Sequence, residues 1–267
     1  MIAATASTRI FRRHMSLAHT SEVLVSLPMY DWPEIRAATD IFWSGLARHL
    51  EISGTLSRSH PHDLLWRNPN LYFSQSCGYP LTHDFRGMLQ YVATPHYHAE
   101  GCDGPYYSSF IFRGRHWRGA SLQQARPAIN ALDSMSGMLA LKLCFAKELH
   151  QAEFFQPALL TGSHLASLAA VQAGAADVCA VDSVCVALAR KYRPEALHGL
   201  EEIARSPLVP GLPFVTRAGS VAKLRQGLKA AFIDPQLRKA RAELLLDDLS
   251  VLPDGSYNQI LALEAGL

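Results

Sequence analysis

No stretch of this sequence approaches ~18 uninterrupted apolar residues, so no segment is predicted to span a membrane as a helix. A long basic run is missing too. Lys and Arg total 25 against 23 Asp and Glu, a formal net charge of +2. A nucleic-acid binder needs a footprint of clustered cations, which argues against that class of partner. Cysteine is scarce, with five residues (Cys77, Cys102, Cys144, Cys179 and Cys185) and no CxxC pair, so neither a zinc site nor a thioredoxin-like motif is indicated. The GxGxxG, P-loop, GxSxG and HExxH patterns are all absent, which removes the common nucleotide, hydrolase and zincin signatures. No cofactor and no metal are expected. What is there is an ordinary globular composition, 49% apolar over 267 residues. That length suits one large domain or two lobes of roughly 100–150 residues each.

Residues 1–20 carry Arg9, Arg12 and Arg13, followed by His14, Ser16, His19 and Thr20 rather than by an apolar stretch. A secretory signal would continue with about 7–15 apolar residues, so the segment reads as a flexible tail and the chain as cytoplasmic. A transit peptide, Arg- and Ser-rich and poor in acids, is the alternative. Cys77 and Cys102 lie in Gly-rich loops of the same half, which raises a disulfide between them; free thiols of a reduced compartment are the other reading.

Along the chain, apolar β-prone segments alternate with helical periodicity. Residues 22–30 read as a strand and residues 33–50 as a helix whose face carries Ile35, Ala38, Ile41, Phe42, Gly45, Leu46 and His49. Residues 64–66 suggest a short helix, and 71–76 a strand that ends in a CGYP turn; 87–97 and 107–113 are two further strands. From 121 onward the alternation is regular: strand 125–131, helix to about 150, part-strand 154–162, helix 163–174, strand 176–184, helix to about 192. Strands at 200–206 and 212–217 flank a Pro-rich turn, and the C-terminal part is mainly helical. Crossover-length connections between such strands imply an α/β fold with parallel sheets.

Two strand-to-helix junctions carry polar residues where free N–H groups and the helix dipole favour an anion. The first is Asp133-Ser134-Met135-Ser136-Gly137, with hydroxyls at Ser134 and Ser136. The second is Thr161-Gly162-Ser163-His164, where His164 could donate to an oxyanion. Each has a plain structural alternative, N-capping by Ser134 or Asp133 and by Ser163. Asp182, at the end of a buried strand, needs a partner: a ligand amine, His164, or the N–H groups of the following helix. Ser134, His164 and Asp182 can also be written as a catalytic triad, but no oxyanion hole is placed beside them. His96, His98 and Cys102 prompt a metal reading that lacks a further ligand of suitable spacing. Loop tyrosines, among them Tyr30, Tyr79, Tyr106 and Tyr107, could wall a pocket.

AINALDSMSGMLALK resembles the N-D-x-x-S-x-S-G segment of the periplasmic phosphonate-binding proteins and their relatives. TGSHLASLAAVQAGAADVCAVDSV resembles that family's G-S-H-x-x-(S/A)-L-x-x-V-x-x-G-x-A-D-x-x-A segment, and GCDGPYYSSFIF its G-x-x-x-Y-x-S strand entry. Order and spacing agree over roughly residues 22–217. The resemblance implies a type II periplasmic-binding-protein fold, two α/β lobes with mostly parallel sheets joined by two hinge strands. Lobe 1 would comprise 21–112 and 214–267, with 113–213 inserted as lobe 2. It implies a substrate-binding protein for a small oxyanion (phosphonate, phosphate ester or phosphate), not an enzyme, closing on its ligand and serving ABC-type uptake. Ser134, the Met135 N–H, Ser136 and His164, with Ser163 beside it, would hold the oxyanion. Asp182 would face a ligand amine or order the site, and Tyr30 and Tyr107 would close from lobe 1. Met135 stands where the family has threonine. The implied partners are a small anionic ligand and an ABC permease, the implied compartment is periplasmic, and the chain is expected as a monomer or weak dimer. The same fold also hosts cytoplasmic enzymes of menaquinone or thiamine-precursor synthesis and soluble ligand sensors; these stay open at this point.

Overall fold

The computed structural model describes residues 23–119, 121–149 and 157–267; the tail expected over residues 1–20 lies outside the described residues. The chain begins with β1 (Leu24–Ser26), α1 (Arg36–Leu50), α2 (His62–Arg67), β2 (Leu71–Gln75), α3 (Gly78–Thr82) and β3 (Gln90–Tyr97). Short strands β4 (Cys102–Asp103) and β5 (Tyr106–Tyr107) lead to β6 (Ser109–Gly114), β7 (Pro127–Ile129), α4 (Ala140–Leu149) and β8 (Leu159–Leu160). Then come α5 (His164–Gln172), β9 (Val178–Asp182), α6 (Ser183–Tyr192), β10 (Leu200–Arg205) and β11 (Val209–Pro210). The chain ends with β12 (Phe214–Thr216), α7 (Val221–Ile233), α8 (Arg238–Glu243), β13 (Leu246–Ser250) and α9 (Asn258–Ala265).

The strands form two mixed sheets, one per lobe. The first has the order β1-β2-β12-β3-β13, and the second β10-β6-β9-β7-β8. In the first, β1 is parallel to β2, while β12 runs antiparallel between β2 and β3. In the second, β7 is parallel to both β8 and β9, and β6 runs antiparallel between β9 and β10. The strand that arrives from the other lobe runs antiparallel to its neighbours in each sheet: β6 enters the second sheet, and β12 returns to the first, whose edge strand β13 is antiparallel to β3 as well. Both crossings pass a small sheet of β11, β5 and β4. The outgoing strand pairs with β9 from Ser109 onward, so the chain has already entered the second sheet a few residues before position 113.

Core packing follows the expected periodicities, with two differences. On α1 the buried stripe is Ala38, Phe42, Leu46 and Leu50, with Trp43 beside it, whereas Ile41 is 52% exposed and His49 turns outward to Asp234. Register decides this: the buried stripe advances by four residues and widens toward Thr39, Trp43 and Ala47, so Ile41, on the opposite flank, faces outward. Gly227 permits the close crossing of α7 over α1, because a Cβ there would lie 2.5 Å from Leu50 Cδ2. The CGYP segment opens the short helix α3, with Cys77 as its N-cap position, instead of forming a turn. Every residue of β9 is buried, as an interior strand with covered faces requires.

The carboxyl ends of β1, β7, β8 and β9 each deliver a loop or helix start to the gap between the lobes. Ligands of α/β sheets collect at such ends.

Candidate functional site

The gap is a cleft of about 560 Å³. Ser134, Ser136, Ser163, His164, Asp182 and Tyr30 all line it. Met135 and Tyr107 stand outside that lining, both nearly fully buried. Cleft walls that sequence reasoning missed include Trp32, His62, Trp66, Cys77, Asn130 and Arg193. His62 and Trp66, one helical turn apart on α2 with stacked rings 5.3 Å apart, had a legible i, i+4 signal.

Residues 135–139 form a π-helical turn that runs into α4. Ser134 caps it: its Oγ accepts from the Gly137 N–H at 2.9 Å, and its carbonyl accepts from Met138 and Leu139. The capping alternative therefore holds for Ser134. Gly137 is required by a close approach, since a Cβ would sit 1.7 Å from Asn130 Oδ1. Ser136 is placed differently. Its Oγ pairs with His164 Nε2 at 2.9 Å, joining the two helix starts. The Tyr107 hydroxyl is buried close to Ser136 without a full hydrogen bond. Burial pushes the Cys77 thiol up to about 11, against smaller opposing effects of the Tyr79 and Met135 backbones.

His164 opens α5, where Ser163 accepts from the Ala166 N–H at 3.2 Å. Ser163→Ala is expected to lower stability by about 1 kcal/mol through the lost cap, read as a shift of the urea midpoint at constant slope. Burial pushes the His164 imidazole down to about 4, against a smaller opposing effect of the Ala180 backbone, so the ring is neutral at pH 7. Its Nδ1 is buried without a full hydrogen bond.

Asp182 caps α6, its Oδ1 accepting from Val184 at 2.7 Å and Cys185 at 3.3 Å. Its Oδ2 accepts from the Tyr30 hydroxyl at 2.8 Å, a bond between the lobes. Burial lifts this carboxyl to about 6 despite those three donors. The triad does not assemble: Ser134 faces Gly137, Ser136 rather than Ser134 meets His164, and Asp182 meets Tyr30.

The cations of the cleft are engaged or neutral. Arg193 pairs with Glu34 at 2.7 Å and lies 5.4 Å from the centre of the Trp32 ring, a second bridge between the lobes. Burial lowers His62 as well. An anion here would be met by helix-start N–H groups, hydroxyls and neutral imidazole. Cys77 and Cys102 are free thiols, not joined to each other: Cys77 opens onto the cleft, while Cys102 borders a separate pocket of about 430 Å³ with His96 and His98. His96 Nε2 bonds Ser250 Oγ at 2.8 Å, and among the described residues no group of three His, Cys, Asp or Glu side chains is arranged to hold a metal ion. Nor is any helix among them long and apolar enough to cross a membrane.

The family model described as "ABC transporter, phosphonate, periplasmic substrate-binding protein" matches residues 71–251, more than half of the chain. Among solved structures the chain is similar to PhnD1 from Prochlorococcus marinus in complex with methylphosphonate, with a TM-score of 0.72 and 14% identity over 92% of this chain and 98% of that one. It is similar to the binding protein component of an ABC phosphonate transporter from Pseudomonas aeruginosa, with a TM-score of 0.74 and 18% identity over 91% and 85%. A Xanthomonas citri protein solved with ATP bound gives a TM-score of 0.68 and 20% identity over 92% and 97%. At these identities the structural likenesses show the fold. No curated protein matches the chain by sequence.

Proposed function

Since the chain belongs to the family of periplasmic substrate-binding proteins of phosphonate ABC transporters, we propose that its cleft captures a phosphorus oxyanion at the joined helix starts of Ser136 and His164. The single observation that carries this reading is that pair: two strand-to-helix junctions meet at 2.9 Å on the wall of the cleft between the lobes, with Ser134 beside them. The family is one of transport receptors, not enzymes.

Methylphosphonate in the Prochlorococcus protein and ATP in the Xanthomonas protein both present phosphorus-bound oxygens, which supports an oxyanion as the shared feature. The two lobes would close about the crossings at Tyr107–Ser109, a few residues before the expected 112/113 boundary, and at Arg205–Phe214, a span that contains the expected 213/214 boundary. Tyr30–Asp182 and Glu34–Arg193 are contacts that closure would make and opening would break. Closure is driven only by contacts the ligand makes better in the closed form. A periplasmic location, delivery to an ABC permease and a monomeric or weakly dimeric state complete the proposal.

Titration calorimetry of the full chain with methylphosphonate and with inorganic phosphate tests the reading. Saturable binding with one site per chain is expected for at least one of them. Absence of binding by both, and by phenylphosphonate, would overturn it.

A further inference from the structure

The inference that follows rests on the proposed oxyanion site and concerns what else the ligand carries. A cleft of about 560 Å³ falls in the range that encloses organic ligands of appreciable size, ~300–1,000 Å³, and exceeds what a bare oxyanion fills. Much of its remaining wall is apolar and aromatic, with Pro28, Met29, Trp32, Trp66, Pro80 and Leu212 lining it beside the polar Asp31, His62, Asn130, Asp133 and Arg193.

A substituent ending in an ammonium group would need an open carboxylate, and the interior does not offer one. Asp182, expected from the sequence to face a ligand amine, has Oδ2 occupied by Tyr30 and Oδ1 by two backbone N–H groups. Asp31 receives two hydrogen bonds from Arg58, at 2.5 and 3.2 Å, with Arg36 at 3.4 Å. Asp133 is exposed at the rim, in water. The aromatic surface is no substitute. A cation over an indole face is favourable, but the Trp32 ring already carries Arg193 at 5.4 Å and the Trp66 ring stacks on His62 at 5.3 Å.

We propose that the cleft selects phosphorus oxyanions bearing an uncharged apolar substituent, alkyl or aryl, over those bearing an ammonium group. Propylphosphonate and 2-aminoethylphosphonate make the comparison clean, because they are nearly isosteric and differ in the terminal charge. Relative to methylphosphonate, propylphosphonate adds two methylenes, each worth roughly a fourfold gain when buried. Calorimetry on the wild-type chain is expected to show propylphosphonate binding about tenfold tighter than methylphosphonate, and 2-aminoethylphosphonate at least about tenfold weaker than propylphosphonate. Aminoethyl binding equal to or tighter than propyl would overturn the inference, as would propyl binding no tighter than methyl, while leaving the oxyanion site standing. If methyl-, propyl- and phenylphosphonate and phosphate all fail to bind, the oxyanion reading itself falls and takes the inference with it.

Tyr30→Phe supplies the second arm by freeing Asp182 Oδ2. In that variant the propyl-to-aminoethyl affinity ratio is expected to shrink at least threefold. An unchanged ratio in a folded Tyr30→Phe protein would overturn the role given to Asp182. The wild-type ligand series decides the matter where that variant does not fold.

Discussion

Ser136→Ala is expected to weaken methylphosphonate binding by about 10- to 100-fold. Removing a hydrogen bond to a charged group costs about 1.5–3 kcal/mol, and every ~1.4 kcal/mol is tenfold in affinity. The hydroxyl stands at the start of the π-helical turn and against His164 Nε2, so its loss also leaves the imidazole without that partner. His164→Ala is expected to fall in the same range. The two losses should not add, because the residues are in direct contact; a cycle of the two single variants and the double variant measures their coupling. Calorimetry at fixed pH and salt reads all four proteins. Affinity within twofold of wild type in Ser136→Ala would remove the residue from the site. By contrast, Ser134→Ala is expected to act chiefly on stability, since its oxygen is committed to the Gly137 N–H.

Asp182→Asn is expected to stabilise the protein at pH 8 by up to about 3 kcal/mol and to make little difference at pH 3. The carboxyl titrates near 6 in the fold against an ordinary value of 3.8. A group with a raised folded pKa contributes stability below its unfolded pKa, and that contribution is lost as pH rises through the folded value, here from about 4 to 6. Asparagine keeps an acceptor for Val184 and Cys185, and its amide can donate to the Tyr30 oxygen, so the cap survives while the buried charge is gone.

His164 acts with the opposite sign. Its pKa is pushed down from 6.5 to about 4, so its contribution is present above 6.5 and is lost as pH falls toward 4. Over most of that interval the two groups offset one another in the wild type. Asp182→Asn therefore unmasks a steeper loss of stability on acidification, measurable by urea unfolding at a series of pH values. A stability difference between variant and wild type that is the same at pH 4 and pH 8 would contradict the assignment. Asp182→Ala is a harsher change, since it leaves the Tyr30 hydroxyl and two N–H groups without their acceptor and should destabilise at every pH.

The legible part of this protein is local. Continuous apolar content marked β9 as an interior strand, Gly174 closed α5, and the serine- and histidine-bearing junctions placed Ser134, Ser136, Ser163, His164 and Asp182 at strand ends. Capping was also readable at Ser134, Ser163 and Asp182, where hydroxyl or carboxylate oxygens accept from N–H groups two or three residues ahead. These outcomes depend on neighbours within a helical turn, which is the range over which residue type and spacing act. The same range explains the miss at CGYP, where glycine and proline suit the start of a short helix as well as a turn.

Partnership across the cleft was not legible. Tyr30 meets Asp182 across 152 positions, and Arg193 meets Glu34 across 159. The choice among the partners open to Asp182 was made by how the two lobes face each other, not by anything beside it in the chain. Cys77 likewise came to rest on the wall of the cleft rather than against Cys102, which borders a separate pocket. The sequence by itself determined the α/β elements and the polar strand-to-helix junctions that line the cleft, through spacing and capping. Only the tertiary structure decided which charges in the cleft are already neutralised, because burial and pairing of ionisable groups depend on neighbours brought together from both lobes.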